Sequence, residues 1–202
     1  MDTYIIVGLP AYNEEDAISK VLDRLLFLRD IYGDGFRILA VNDGSTDNTE
    51  AILKEYKKKY DFIDYINHKG NQGLGRAIYT LFYHVIHKYG KGDVLITLDA
   101  DNTHNPEIIP YMVDKLKKEK LDVVIASRFA EGGKELGLSL KRKILSRGAA
   151  AFLKLFFSIE NVRDYSCGFR AYDVDYLDAA IRAYGGNLIT SRGFECMAEI
   201  LA

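Results

Sequence analysis

The stretch Leu95-Ile96-Thr97-Leu98-Asp99-Ala100-Asp101 decides the fold class. An apolar and β-branched run passes straight into two acids. Such a run reads as a buried strand of a mostly parallel sheet, with the carboxylates standing where the strand ends. Ligands of open α/β sheets sit outside the carboxyl ends of the strands. Two acids spaced i, i+2 at that edge can offer oxygens to one hard divalent cation, with phosphate oxygens and water filling the other positions. Taken alone, the same acids are more commonly turn and N-cap residues, here ahead of a helix opening near Pro106. The rest of the chain separates the two readings.

Outward from this strand, elements alternate. Tyr4 to Leu9 is a first apolar run, broken by Pro10. Asn13 or a neighbour then caps a helix from about Glu14, with Ala17, Ile18, Val21, Leu22, Leu25 and Leu26 on one face. Gly33 and Gly35 bracket a turn. Arg37 to Val41 reads as the second strand and runs into Asn42-Asp43-Gly44-Ser45. A helix from about Asp47 carries Ala51, Ile52 and Tyr56 on its inner side, and a third strand lies around Phe62 to Asn67. The run Gly70-Asn71-Gln72-Gly73-Leu74-Gly75-Arg76-Ala77 lacks the Gly-x-Gly-x-x-Gly spacing of a dinucleotide fingerprint. It reads as a tight turn onto a helix through Tyr89, whose N-terminus faces the ligand edge. After the acids come a helix from about Pro106 to Lys118 and a further strand from Leu121 to Ser127. This alternation predicts an α/β domain built on a doubly wound sheet.

Beyond Ser127 the pattern changes. Ala130 to Leu138 reads as a glycine-bearing loop, and Lys141 to Ile159 as helix with basic residues early and the apolar run Ala149 to Phe157 later. Tyr165 to Tyr172 reads as a short returning strand, about Asp173 to Tyr184 as a helix, and a last helix starts near Gly193. That helix meets no stop signal before Ala202, so the natural polypeptide is expected to continue.

Composition narrows the function classes. At 202 residues the chain is one domain, with 48% hydrophobic and 28% charged residues, ordinary for a globular protein. A net charge of −2 argues against a nucleic-acid binder driven by phosphate neutralisation. Cys167 and Cys196 lack metal spacing and read as reduced thiols of a cytoplasmic protein. The start lacks a basic n-region, and no run approaches the roughly 20 apolar residues that cross a bilayer.

Three further segments end or begin at the edge that carries Asp99 and Asp101. Pro10-Ala11-Tyr12-Asn13-Glu14 offers a ring to stack on a base and a carboxylate nearby. Asp43 ends the second strand, where an acid suits a ribose or a base N–H. Ser127-Arg128 puts a guanidinium at a strand end, suited to bidentate phosphate contact. Each also has an ordinary reading as a cap, a turn or a solvated charge. Their coincidence at one edge does not.

In order and spacing, Leu9-Pro10-Ala11-Tyr12-Asn13-Glu14, Val41-Asn42-Asp43-Gly44-Ser45-Thr46-Asp47, Asn71-Gln72-Gly73-Leu74-Gly75 and Asp99-Ala100-Asp101 resemble the family-two glycosyltransferases. Ser127-Arg128-Phe129, the basic Lys141-Arg142-Lys143 with Ser146-Arg147-Gly148, and Cys167-Gly168-Phe169-Arg170-Ala171-Tyr172 resemble its polyprenyl-phosphate branch, the dolichyl-phosphate mannosyltransferases among them. The resemblance implies a glycosyltransferase-A type fold, a Rossmann-like, mostly parallel sheet flanked by helices. It implies a single catalytic domain over 1–202, with a nucleotide-binding part over about 1–127 and an acceptor part over about 128–202. Pro10, Ala11, Tyr12, Glu14, Val41 and Asp43 would hold the nucleoside of a GDP- or UDP-hexose donor. Asp99, Ala100 and Asp101 would meet the diphosphate and a Mg²⁺ or Mn²⁺ ion. Arg128 and Arg142 would bind the acceptor phosphate, and Phe194-Glu195 would lie near the acceptor. Where these mannosyltransferases carry a metal-binding Gln two residues after the second acid, this chain has Thr103, a shorter and poorer ligand that water can replace.

The implied reaction is an inverting transfer of a hexose to a polyprenyl phosphate at the cytoplasmic face of a membrane. Asp101, Arg128 and Glu195 are the expected catalytic residues. A phosphate acceptor is already anionic near neutral pH, since its second pKa is near 6. It needs cations rather than a base, and Lys141, Arg142, Lys143, Arg147, Arg128, Arg163 and Arg170 suit that need. Two alternatives stand beside this reading. One is transfer to a sugar hydroxyl with Glu195 as general base. The other is a non-catalytic nucleotide-sugar-binding paralogue.

Overall fold

The computed structural model describes residues 3–127, 162 and 164–201. Among the described residues six strands form one sheet: β1 (Ile5–Ala11), β2 (Phe36–Asn42), β3 (Ile63–Asn67), β4 (Val94–Thr97), β5 (Val123–Ile125) and β6 (Arg170–Asp173). Their order across the sheet is β3-β2-β1-β4-β6-β5. The first four run parallel, and β6 lies antiparallel between β4 and β5. The doubly wound expectation therefore holds for the first half. The late returning strand inserts beside β4 and displaces β5 to the edge.

The helices are α1 (Ile18–Leu25), α2 (Phe27–Tyr32), α3 (Thr49–Lys59), α4 (Leu74–Lys88), α5 (Ile109–Glu119), α6 (Val174–Tyr184) and a single turn, α7 (Cys196–Glu199). Strand alternation sorts them into two layers. Ile5, Val7, Leu9, Phe36, Ile38, Val94 and Ile96 face one side, where α1, α2, α3 and α5 bury Leu22, Leu28, Leu53 and Met112. Ile6, Leu39, Val41, Leu95 and Tyr172 face the other, against Leu81, Phe82, Leu177 and Met197 of α4, α6 and α7. A sheet covered on both faces explains why its strands read as continuous apolar runs rather than alternating ones.

Several boundaries differ from expectation for local reasons. Pro10 does not break β1, and it pairs with Val41. Leu98 N–H donates to the carbonyl of Gly8, and Asp43 N–H to that of Ala11. Alternate residues of a strand face opposite neighbours, so Pro10 faces β4 just past that strand's end, where its missing N–H costs nothing. Asn13 is not a helix cap. Its backbone is left-handed, with φ 55°, and its side chain accepts from Thr46 N–H at 2.8 Å. On α3, Ala51 is exposed, and the inward positions are Thr49, Ile52, Leu53 and Tyr56. The last helix begins at Cys196 rather than Gly193, because 190–195 is taken up by a loop held from α7 itself.

Candidate functional site

The register aligns the carboxyl ends of four strands. Ala11 pairs with Asn42, Asn42 with Asn67, and Gly8 with Thr97. Tyr12, Asp43 and His68 thus follow their strands directly, and Asp99 two residues after its own, at one edge of the sheet, as the sequence predicts for Tyr12, Asp43 and Asp99.

The loops after β1 and β2 are knitted together. Asn13 N–H donates to Ser45 Oγ at 2.9 Å, Glu14 N–H to Thr49 Oγ1 at 2.8 Å, and Asn48 Nδ2 to Glu15 Oε2 at 2.7 Å. Hydrogen bonds from the Thr49 hydroxyl and the Thr49 and Glu15 amides outweigh the slight burial of Asp47 and hold its carboxyl below the ordinary range. This web uses the neighbours of Tyr12 and Glu14 but not their own side chains. The Tyr12 ring stays 43% exposed. Val41, Ala11 and Ala100 are packed in the core, so any contact they make to a ligand runs through their backbone.

Asp43 is buried and fully engaged. His68 Nδ1 lies 2.6 Å from Oδ1, Gln72 N–H reaches Oδ1 at 3.0 Å and Oδ2 at 3.1 Å, and Gly73 N–H donates to Oδ2 at 2.8 Å. The amides that precede α4 thus converge on a carboxylate of the protein itself, as an N-terminal turn favours.

The acids after β4 sit in a braced loop. His104 Nε2 lies 3.0 Å from Asp99 Oδ2, and its ring packs 5.1 Å from that of Phe169. Thr103 donates to Asp101 Oδ1 twice, from its N–H at 2.9 Å and its hydroxyl at 2.7 Å. Asp99 Oδ1 and Asp101 Oδ2 make no hydrogen bond among the described residues. Gly168 lies against Asp99, where an added Cβ would come 3.1 Å from Oδ1. The Glu14 carboxyl is raised above its ordinary range, first by burial and then by the charges of Asp101, Asp99 and Asp47. Repulsion among hard oxygen donors is what a divalent cation relieves, so this donor set fits Mg²⁺ or Mn²⁺. Among the described residues, no three His, Cys, Asp or Glu side chains converge to hold an ion by themselves. Diphosphate oxygens and water would have to complete the shell. The Thr103 hydroxyl steadies Asp101 here.

The far wall comes from the loop before α7. Glu199 accepts from the amides and hydroxyls of both Thr190 and Ser191, at 2.6 to 3.1 Å. These bonds outweigh the burial that would raise its carboxyl and bring it down to about 2. The loop then packs onto the start of α4. Arg192 Nε donates to the Gln72 carbonyl at 3.2 Å, and Gly75 N–H to the Arg192 carbonyl at 3.2 Å. A Cβ on Gly75 would lie 1.9 Å from Ser191 O, and one on Gly73 2.5 Å from Arg192 O. Close backbone approach accounts for this glycine pair, and a φ of 95° adds a second reason at Gly73. Phe194 and Glu195 stand exposed on the same loop. Burial, then the charges of Glu199, Glu195 and Asp99, push the Cys196 thiol up to about 12 against a smaller opposing effect of Arg170.

One expectation is corrected. Arg170 is fully buried and donates to the carbonyls of Cys167 at 2.8 Å and Tyr165 at 2.9 Å, so it cannot meet an acceptor phosphate. Arg128, Arg142, Arg163, Lys141, Lys143, Arg147, the loop Ala130 to Leu138 and the apolar run Ala149 to Phe157 lie outside the described residues. Sequence reasoning missed His68, His104, Arg192 and Glu199. Only His104, five residues after Asp99, carried a local signal.

The sequence model of the family described as glycosyl transferase family 2 matches residues 6–180. The dolichol-phosphate mannosyltransferase of Pyrococcus furiosus is 29% identical over 198 residues, 98% of this chain and 52% of that protein. The undecaprenyl-phosphate mannosyltransferase of Micrococcus luteus is 29% identical, covering 94% of this chain and 73% of its own. The chain thus spans about half the length of the Pyrococcus protein. Among solved structures, glucosyl-3-phosphoglycerate synthase of Mycobacterium tuberculosis, crystallised with Mn²⁺, UDP-glucose and phosphoglyceric acid, superposes with a TM-score of 0.70 at 20% identity, over 98% of this chain and 64% of that one. The fold is therefore of the glycosyltransferase-A type.

Proposed function

Since the chain belongs to glycosyl transferase family 2, we propose that it binds a nucleoside-diphosphate hexose at this edge and transfers the hexose to a polyprenyl phosphate with inversion. The observation that carries the reading is that Asp99 and Asp101 each keep one carboxylate oxygen without a hydrogen bond among the described residues, at the same strand-end edge as the exposed Tyr12. Tyr12 would stack on the base of GDP or UDP, and Glu14 would meet the nucleoside. Pro10, Ala11 and Val41 would shape this half through their backbone. Asp43 would act there by holding the Gln72-Gly73 turn in place.

Asp99 and Asp101 would hold Mg²⁺ or Mn²⁺, with Ala100 between them buried to fix the loop. The bound cation would offset negative charge on the departing diphosphate. The relatives' names support a lipid-phosphate acceptor, which would be bound by Arg128 and Arg142 in the part after residue 127 at a membrane surface. Among the described residues no helix is long and apolar enough to cross a membrane.

A second reading draws on one observation, the exposed Glu195 on the loop that packs onto the start of α4. It would serve as general base toward a hydroxyl acceptor. Assaying GDP- and UDP-hexoses with Mn²⁺, a short polyprenyl phosphate and a sugar acceptor tests both. Radiolabelled hexose recovered in the lipid fraction supports the first. Transfer only to the sugar overturns it in favour of the second.

A further inference from the structure

We infer that Arg24 is a positioning residue for the acid loop, setting the geometry in which Asp99 and Asp101 receive a cation and a diphosphate. The inference rests on the reading above and names a residue outside every motif that suggested it. Arg24 lies in α1, about 80 positions from the loop in sequence. Its Nη1 donates to Asn102 Oδ1 at 2.8 Å and to the His104 carbonyl at 3.0 Å, and its Nη2 to Asn105 Oδ1 at 3.2 Å. One planar guanidinium thus grips three acceptors in the four residues that follow Asp101. A fork of fixed donors can do this, and a lysine ammonium cannot match it.

The gripped residues lie among those that act on the acids. Thr103 holds Asp101, and His104 holds Asp99. Asn102 has φ 61°, a left-handed conformation that asparagine adopts more readily than most residues with a side chain. Asn105 also accepts from Glu107 N–H at 3.3 Å and so starts the turn into α5. Arg24 thus holds the loop from its middle to the point where it turns into α5. The chain enters α1 through a turn closed by the Glu14 carbonyl, so one helix frames all three acids. Partners behind metal ligands typically change metal affinity about 10- to 100-fold when removed.

The test titrates Mn²⁺ into the purified chain with UDP present, and again with GDP, reading free Mn²⁺ by electron paramagnetic resonance. Wild type should bind Mn²⁺ with one of the two nucleotides, and D101N should not. R24A and R24K should each bind Mn²⁺ about 10-fold or more weakly. Their affinity for the matching nucleoside without phosphates should be unchanged, a contrast that general loss of fold would not produce. If R24A fails to fold, R24K decides, since it keeps the charge and the stem. Wild-type Mn²⁺ affinity in R24K, with D101N still dead, overturns the role of Arg24 and leaves the proposed function standing. Absence of nucleotide-dependent Mn²⁺ binding in wild type overturns the proposed function, and this inference with it.

Discussion

Asp43 and His68 meet at 2.6 Å across the ends of β2 and β3, with side chains only 4% and 8% exposed. A carboxylate only accepts, so the ring donates from Nδ1, and its Nε2 lies 3.0 Å from the Thr80 hydroxyl. With the Gln72 and Gly73 amides on the same carboxylate, this pair joins β2, β3 and the start of α4 behind the nucleoside half of the edge.

Asp43→Ala should therefore cost stability as well as binding. It leaves buried donors without an acceptor, at about 1–3 kcal/mol for such groups, or roughly 2–4 °C per kcal/mol for a chain of this size. Affinity for free nucleoside diphosphate and for the nucleotide sugar should fall alike. Calorimetric melting with parallel binding isotherms checks both. A loss confined to the sugar-bearing ligand would move Asp43 to the other half of the site.

Asp101→Asn should behave oppositely. Asp101 is exposed, and its bonds from Thr103 fall on one oxygen. Melting temperature without ligand should stay within about 2 °C, since exposed substitutions usually stay within ±0.5 kcal/mol. The stabilisation that Mn²⁺ adds in the presence of nucleotide should vanish. Unchanged donor binding with Mn²⁺ would show that the ion sits elsewhere.

Glu199 gives the loop before α7 a pH dependence of defined sign. Its carboxyl is depressed from an ordinary 4.5 to about 2. The stabilisation is complete above the unfolded value and is lost as pH falls from about 4.5 through 2. Amides of Thr190 and Ser191 should thus lose hydrogen-exchange protection in that window in wild type. In Glu199→Gln they should be poorly protected at every pH. Equal protection in both proteins at pH 6 would remove Glu199 as the anchor.

Gly75→Ala sets two effects against each other. Replacing glycine by alanine inside a helix gains about 1 kcal/mol of propensity. Here the added Cβ would lie 1.9 Å from the Ser191 carbonyl, which is backbone and cannot rotate away. The clash should win, with net destabilisation of about 1–3 kcal/mol as for overpacked cores. The same substitution at Gly90, where a Cβ meets nothing within 4 Å, is the control.

The acceptor is tested in the full-length protein. Arg142→Ala removes a charge-assisted contact worth about 1.5–3 kcal/mol, or roughly 10- to 150-fold in transfer to a polyprenyl phosphate. Donor hydrolysis should suffer less, and Glu195→Gln should be mild. Transfer that ignores Arg142→Ala and dies with Glu195→Gln would assign the acceptor to a hydroxyl.

The sequence by itself determined the order of strands and helices through β5 and the edge to which the acids belong. Strand ends, buried apolar runs and turn residues are local properties, and a parallel sheet leaves them unbroken. The positions of Tyr12, Glu14, Asp43, Asp99 and Asp101 at that edge were legible for the same reason. Only the tertiary structure decided which side chains are free there. Arg170 reads as a phosphate-binding cation, yet β6 enters between β4 and β5 and buries its guanidinium. Asp43 reads as an open acid, yet β3 and α4 bring His68, Gln72 and Gly73 onto it. The glycine pair at 73 and 75 reads as a tight turn onto a helix, and its need also arises from two backbone carbonyls, of Ser191 and Arg192, more than 100 residues away. Such pairings depend on how the layers close over the sheet, and no local pattern in the chain encodes them.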